Sequence, residues 1–170
     1  MEKNMKVIDL IDKLPTHKSK KYPYRALQSI DTIAIHHSLT SDLRGSKDVY
    51  AFAQYHVTHN DWPGIGYHYV IDNDGTVYKT NPAINKSYHV GKHNKRSIGI
   101  CLVGDFRTDE LPYVQYEAMY ELVQTCMKVY KIDIDRVLGH SEFSGYAWKK
   151  CPEINMEEFR LDLMKKKSEG

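Results

Sequence analysis

Three residues that could together bind a metal ion lie far apart in the sequence. His36 directly follows the apolar run at residues 32–35, and His140 follows the predicted strand at residues 136–138 after one glycine. Cys151 lies in the polar, aromatic stretch after His140. Zinc prefers imidazole and thiolate ligands, and three protein ligands leave one tetrahedral position free for a reacting water. Residue type therefore indicates a catalytic zinc site, although spacing alone is weak evidence among nine histidines.

Five short segments have the character of β-strands and could position these ligands. The apolar runs at residues 32–35 and 98–103 are typical of strands that are buried on both faces, and residues 136–138 are predicted to form a third central strand. Residues 67–71 and 76–78 flank an Asp-Asn-Asp-Gly turn, which predicts a β-hairpin. Because ligands of open α/β sheets gather at the carboxyl ends of strands, the sequence predicts a metal site at such an edge.

Helical patterns alternate with these strands. Apolar residues recur at helical spacing over residues 47–59, a second pattern begins at Pro112, and Asn155 is a plausible N-cap for a last helix. The predicted fold class is therefore α/β, with one domain whose central mixed sheet of five or six strands is flanked by α-helices. We expect His36 and His140 at the strand ends that carry the metal.

Length and composition narrow the class of protein. A chain of 170 residues suits one domain, and 24 basic against 22 acidic residues form no basic stripe of the kind that binds nucleic acid. Apolar runs are too short for a membrane span, and the N-terminus does not read as a signal peptide, so we expect cytoplasmic synthesis. Three cysteines argue against a disulfide framework.

Five blocks in order resemble a known enzyme family. They are IHHS at 35–38, GYHY at 66–69, SIGI at 97–100, GHSE at 139–142 and KKCP at 149–152. This order is similar to the type-2 N-acetylmuramoyl-L-alanine amidases, which include phage endolysins and peptidoglycan recognition proteins. The resemblance implies zinc-dependent hydrolysis of the amide between N-acetylmuramic acid and L-alanine in bacterial peptidoglycan, as in cell-wall lysis by a phage or prophage endolysin.

The resemblance divides the chain and assigns metal ligands. It implies an N-terminal segment at 1–29 packed on the domain, a zinc amidase catalytic domain at 30–165 and a C-terminal tail at 166–170. His36, His140 and Cys151 match the ligands of one Zn²⁺ per chain, and His37 matches a variable neighbour. The separation of 11 residues between His140 and Cys151 is longer than in the shortest members, which implies a small loop insertion at 143–148.

Catalytic roles also follow from the resemblance. Tyr67 matches a tyrosine whose hydroxyl faces the zinc-bound water and the oxyanion, and Lys149 matches a lysine beside the metal that stabilises negative charge. Glu142 is either a proton shuttle or a salt-bridge partner, and the general base stays unassigned.

Substrate contacts are implied at His89 and Asn94, which match a groove for muramic acid and stem peptide. By contrast, His56 and His68 fall on an apolar helix stripe and in a strand, so we interpret both as structural. Cys126 lies on a helical core stripe and is expected to be buried.

Three alternatives remain open. The chain could be a peptidoglycan-binding module of the same fold that has lost catalysis, or a regulatory binder, since one phage amidase of the family also inhibits an RNA polymerase. The zinc could instead be structural, with a fourth ligand such as His37. Otherwise we expect a monomer whose partner is peptidoglycan rather than nucleic acid or membrane, and which acts on the cell wall after release.

Overall fold

A six-stranded mixed sheet forms the centre of the computed structural model, which describes residues 5–40 and 45–169, with side chains to residue 165. Strand β4 is antiparallel to β3, and the other neighbouring pairs are parallel. The order across the sheet is β1-β4-β3-β5-β2-β6. The predicted α/β class, with five or six strands in a mixed sheet, is confirmed. The strands are β1 (Val7–Asp9), β2 (Thr32–His37), β3 (Tyr69–Ile71), β4 (Val77–Lys79), β5 (Ser97–Leu102) and β6 (Val137–Gly139).

Three α-helices are present among the described residues, with short 3-10 turns between elements. Pro112 precedes α2, as predicted, and the side chain of Asn155 accepts a hydrogen bond from the Glu158 amide at 3.0 Å, which caps α3. None of the helices within the described ranges is long and apolar enough to cross a membrane. The C-terminal tail was predicted at residues 166–170, and the side chains of these residues lie outside the part of the chain that the structure describes. The helices are α1 (Ser46–Thr58), α2 (Tyr113–Tyr130) and α3 (Met156–Glu169), and the 3-10 turns are Leu27–Ser29, Gly91–Arg96, Ile134–Arg136 and His140–Glu142.

The two central strands, β2 and β5, are buried along their whole length. One face of the sheet packs on α2 and α3, where Phe159 and Leu163 are almost fully buried and Cys126 joins the same core, as predicted. The other face packs on α1 through Val49 and Ala53. Burial stabilises each large aliphatic side chain by about 1.5 to 3 kcal/mol, so helices on both faces fix the position of the strand ends between them.

Strand β1 was not predicted from the sequence. It pairs in parallel with β4, with Val7 opposite Val77 and Asp9 opposite Lys79. Val7 is 47% exposed, and the strand has only three residues, so no clear alternation of apolar and polar residues marks it. Its partner lies about 70 residues away along the chain, and local sequence patterns carry no information on such a pairing.

The first hairpin strand begins later than predicted. Residues 67–71 were expected to form it, but β3 starts at Tyr69. The carbonyl of Tyr67 accepts hydrogen bonds from the side chains of Thr80 and Asn81, at 2.6 and 2.7 Å, instead of joining a regular strand ladder. Tyr67 therefore lies in an irregular segment before the strand, and side-chain donors hold its backbone.

Candidate metal centre

Neighbouring strands bring the two candidate histidine ligands together. In the pairing of β2 with β6, Ile35 lies opposite Gly139, and the next residues are His36 and His140. Their Nδ1 atoms are 3.1 Å apart, so the expectation that both could reach one metal is met by the geometry. Cys151 Sγ lies 3.9 Å from His36 Nδ1. All three ligand atoms fall within 4.8 Å of one another, and all three side chains are buried.

These three donors fit a zinc ion in chemistry and in spacing. Zn–N and Zn–S bonds of roughly 2.0 and 2.3 Å at tetrahedral angles place neighbouring ligand atoms about 3.3 to 3.6 Å apart. Two of the three separations, 3.1 and 3.9 Å, differ from these values by only a few tenths of an ångström, and the third is within 4.8 Å. Two imidazoles and one thiolate are a donor set that suits zinc, and a tetrahedral ion would keep a fourth position for a reactant.

Burial sets the protonation of the three candidate ligands. It lowers the pKa of His36 well below the usual range, with a further contribution from His140, and it lowers the pKa of His140 to about 4. Both imidazoles are therefore neutral at neutral pH, which leaves a lone pair available to a cation. Burial also raises the pKa of the Cys151 thiol to about 11, so a nearby positive charge is needed for it to ionise.

His37 fixes the loop that carries Cys151. Its Nε2 lies 2.6 Å from the carbonyl oxygen of Lys150, and its Nδ1 accepts the amide N–H of Phe106 at 3.1 Å. The backbone N–H of His37 donates to Cys151 Sγ at 3.4 Å. Because main-chain groups occupy both ring nitrogens, the geometry does not favour His37 as a fourth metal ligand.

Tyr67 lies beside the candidate ligands. Its ring centroid is 5.3 Å from that of His36, and burial, followed by the proximity of Cys101 and Cys151, raises its pKa well above the usual range. The hydroxyl therefore stays protonated and can donate a hydrogen bond. Gly66 permits this placement, because a Cβ atom there would lie 2.1 Å from the carbonyl oxygen of Tyr88.

Lys149 brings a positive charge to the cluster from the loop after His140. Its charge adds to burial in lowering the pKa of His36 and His140. Its Nζ lies 4.9 Å from the ring centroid of Trp148, a side chain that is 72% exposed. The Lys149 amide donates to the Tyr146 carbonyl at 2.9 Å, so the lysine belongs to a hydrogen-bonded turn at the surface.

Glu142, the possible proton shuttle, is held by Arg160. Both carboxylate oxygens accept hydrogen bonds from the guanidinium at 2.8 Å, and one also accepts the Gly139 amide N–H at 2.9 Å. Of the two roles left open by the sequence, these contacts favour the salt bridge.

His89 and Asn94, the implied substrate residues, make contacts within the protein. His89 Nδ1 lies 3.0 Å from His36 Nε2, on the side of the ligand ring away from His140. Asn94 is 6% exposed, and its side-chain oxygen accepts the amide N–H groups of His89 and Val90 at 3.0 and 2.7 Å. The structure therefore places His89 against a candidate ligand, with Asn94 supporting the His89 backbone.

The two histidines interpreted as structural lie in supporting hydrogen bonds. His56 Nδ1 accepts the Gly66 amide, and His68 Nδ1 accepts the Gly99 amide, both at 3.0 Å. Arg25, whose importance the sequence did not indicate, lies 3.1 Å from His68 Nε2 and donates to the carbonyls of Ala83, Asn94, Lys95 and Ser97. A basic residue in a polar segment gives no signal of such burial.

A comparison with family profiles matches residues 26–154 to Amidase_2, the N-acetylmuramoyl-L-alanine amidases. Peptidoglycan-recognition protein SC1a of Drosophila melanogaster is 30% identical over 99 residues, which cover 58% of this chain and 52% of the relative. This chain thus spans about half of the length of that relative. The endolysin of Escherichia phage T7 is 28% identical over 142 residues, covering 80% of this chain and 89% of the endolysin.

A solved structure supports the same fold over nearly the whole chain. The amidase endolysin LysCS from Clostridium intestinale URNW superposes with a TM-score of 0.73 and 23% sequence identity. The superposition covers 94% of this chain and 95% of the other. At that level of identity, the similarity supports the fold.

Proposed function

The chain belongs to the N-acetylmuramoyl-L-alanine amidase family, and from this premise we propose that it is a zinc-dependent amidase of bacterial peptidoglycan. The bond cleaved is the amide between the lactyl group of N-acetylmuramic acid and the L-alanine of the stem peptide. The observation that carries the proposal is the convergence of His36, His140 and Cys151, with their ligand atoms within 4.8 Å and Tyr67 beside them.

Each residue of the cluster has a distinct part in this proposal. A zinc ion held by His36, His140 and Cys151 would supply a water activated at neutral pH and would polarise the amide carbonyl. The Tyr67 hydroxyl donates a hydrogen bond to the oxygen that becomes negatively charged. The Lys149 ammonium stabilises the same charge from the loop. Because such donors act on charge that appears in the transition state, each is expected to affect turnover more than binding.

Peptidoglycan as the substrate is supported by the relatives, which include phage endolysins and peptidoglycan recognition proteins. The near balance of basic and acidic residues, 24 against 22, gives no reason to propose nucleic acid as a partner. We therefore propose a monomeric lysin that acts on the cell wall after release from the cytoplasm of a host cell, encoded by a phage or a prophage.

A second candidate function is a binding module that recognises peptidoglycan without cleaving it. The relationship to recognition proteins motivates this alternative. The combination of a thiol at Cys151, two neutral imidazoles and a protonated tyrosine favours the enzyme, since binding alone requires no such reactive set. No described residue points to a regulatory role. A pull-down with RNA polymerase would detect such a role.

Two measurements on the purified chain test the proposal. Digested cell wall should contain free lactyl groups on muramic acid and new L-alanine amino termini, which mass spectrometry identifies. Elemental analysis should give about one zinc per chain, and chelation should abolish the digestion. Intact muramyl peptides after prolonged incubation would support the binding module instead, and activity that survives complete metal removal would exclude the zinc mechanism.

A further inference from the structure

The contact between His36 and His89 determines which nitrogen of each ring can carry a proton. His36 directs Nδ1 toward His140 and Cys151, so this nitrogen must present a lone pair in order to bind a metal. A neutral imidazole has one N–H and one lone pair, and the His36 proton therefore lies on Nε2. That nitrogen is 3.0 Å from His89 Nδ1, which must then act as the acceptor.

The ring of His89 is fixed in place from several sides. The Asn94 side chain accepts the His89 amide, and the His68 ring meets the His89 ring edge to face, with centroids 5.8 Å apart. Gly99 lies beneath the ring, since a Cβ at this position would be 2.7 Å from His89 Cγ. The acceptor atom is therefore preorganised before any metal or substrate arrives.

The other nitrogen of the His89 ring makes no hydrogen bond that would fix the ring. His89 Nε2 is buried and has no hydrogen-bond partner among the described residues. An unpaired buried N–H costs stability, so local stability does not explain the orientation of the ring. Among the described residues, the one hydrogen-bond contact of the His89 ring is from Nδ1 to His36.

We propose that His89 is a positioning residue that accepts the Nε2–H of His36 and thereby holds this ligand in the tautomer and orientation that zinc requires. Metal-binding histidines commonly donate their second N–H to such an acceptor, and loss of the acceptor typically weakens metal binding 10- to 100-fold. Here the acceptor is a second histidine rather than a carboxylate or a carbonyl. The proposal rests on the zinc site of the proposed function.

Two amide substitutions at His89 distinguish the loss of the acceptor atom from the loss of the ring. The side-chain oxygen of asparagine in His89→Asn can occupy the place of Nδ1, whereas the longer chain of His89→Gln carries its amide away from that place. The zinc dissociation constant of each full-length variant is measured by competition with a chromophoric chelator, beside wild type and His59→Ala. His59 is an exposed residue after α1 and serves as the control for histidine loss.

The expected result is zinc affinity close to wild type in His89→Asn and in His59→Ala, and affinity lower by on the order of 10- to 100-fold in His89→Gln. Equal zinc affinity in wild type and His89→Gln would overturn the positioning role, and a raised KM with unchanged zinc affinity would assign His89 to substrate instead. If wild type itself bound no zinc, the proposed function would fail along with the inference. His89→Ala, with its melting temperature recorded without metal, shows whether loss of zinc reflects loss of fold.

Discussion

The candidate metal centre has two sides that are built differently. The strand side consists of β2, β5 and residues 87–94, and it supplies His36 with His89 behind it. The loop side, residues 140–151, supplies His140, Lys149 and Cys151 and carries Trp148, which is 72% exposed. Strands β2 and β5 pair along six residues, whereas the loop is held by turns and by His37. The strand side therefore holds one candidate ligand on long, paired strands, whereas the loop side places two candidate ligands and the charge of Lys149 on a segment that turns hold.

The largest effect is expected from Cys151→Ser on the loop side. A hydroxyl is a much poorer zinc ligand than a thiolate, so zinc content and activity should fall together, with activity lower by on the order of a thousandfold. Metal analysis and turbidity loss of a cell-wall suspension measure both. Cys126→Ser, at a buried position on α2, is the matched control and should keep zinc. Full zinc content in Cys151→Ser would exclude Cys151 as a metal ligand.

Tyr67→Phe should lower kcat on the order of a hundredfold while zinc content and KM stay near wild type. The phenylalanine ring retains the packing near His36 and His56, and only the hydroxyl is lost. Steady-state kinetics on a soluble muramyl peptide give the two parameters separately. Tyr113→Phe, at a residue that is 73% exposed on α2, controls for the same chemical change. Unchanged kcat would make Tyr67 a packing residue beside His36.

Lys149→Ala should lower kcat by roughly tenfold to a hundredfold without loss of zinc, because the lysine supplies charge and no ligand atom. The exposed neighbour Lys150 offers a matched control. It contacts His37 through its carbonyl oxygen and not through its side chain. Lys150→Ala is therefore expected to behave like wild type in the same assay. Zinc loss in Lys149→Ala alone would mean that the lysine shapes the Cys151 loop instead of acting through its charge.

The smallest effect is expected from Glu142→Gln, which weakens the ion pair with Arg160. Burial raises the pKa of Glu142, but the hydrogen bonds from Arg160 outweigh it and the pKa lies below its usual value. Stability from this pair is therefore present above the unfolded pKa of about 4.5 and is lost as the pH falls through the lower pKa of the folded state.

Urea unfolding should show a loss of about 0.5 to 1 kcal/mol in Glu142→Gln at pH 7, and a smaller difference near pH 3. Activity should change little if the residue only pairs with Arg160. A large drop in kcat at unchanged stability would instead restore the proton-shuttle role.

The sequence allowed the sheet class, the hairpin, the helix starts and the three candidate ligands to be predicted. Strands such as β2 are buried on both faces and are therefore continuous apolar runs, and Asn155 caps a helix through a local hydrogen bond. The ligand positions came from the resemblance of ordered blocks, since nine histidines gave too many possible sets.

The contacts behind the ligands could not be predicted in the same way. The partners of His89 and Arg25 lie 53 and 43 residues away along the chain, in His36 and His68 respectively. Arginine is mostly exposed in proteins and histidine is intermediate in burial, so residue type does not indicate these buried positions. Strand β1 escaped prediction for a related reason, because its pairing with β4 is a long-range contact at the edge of the sheet.

The parallel pairing of β2 with β6 also determines when the site can exist during synthesis. His36 and His140 are separated by 104 positions along the chain, and Cys151 emerges later still. A ribosome adds about 5 to 20 residues per second, so several seconds pass between the synthesis of His36 and that of His140 and Cys151. Contacts of such high contact order form late in folding. A chain that ends before Cys151 lacks one of the three candidate ligands, so the proposed activity can begin only once translation has passed Cys151.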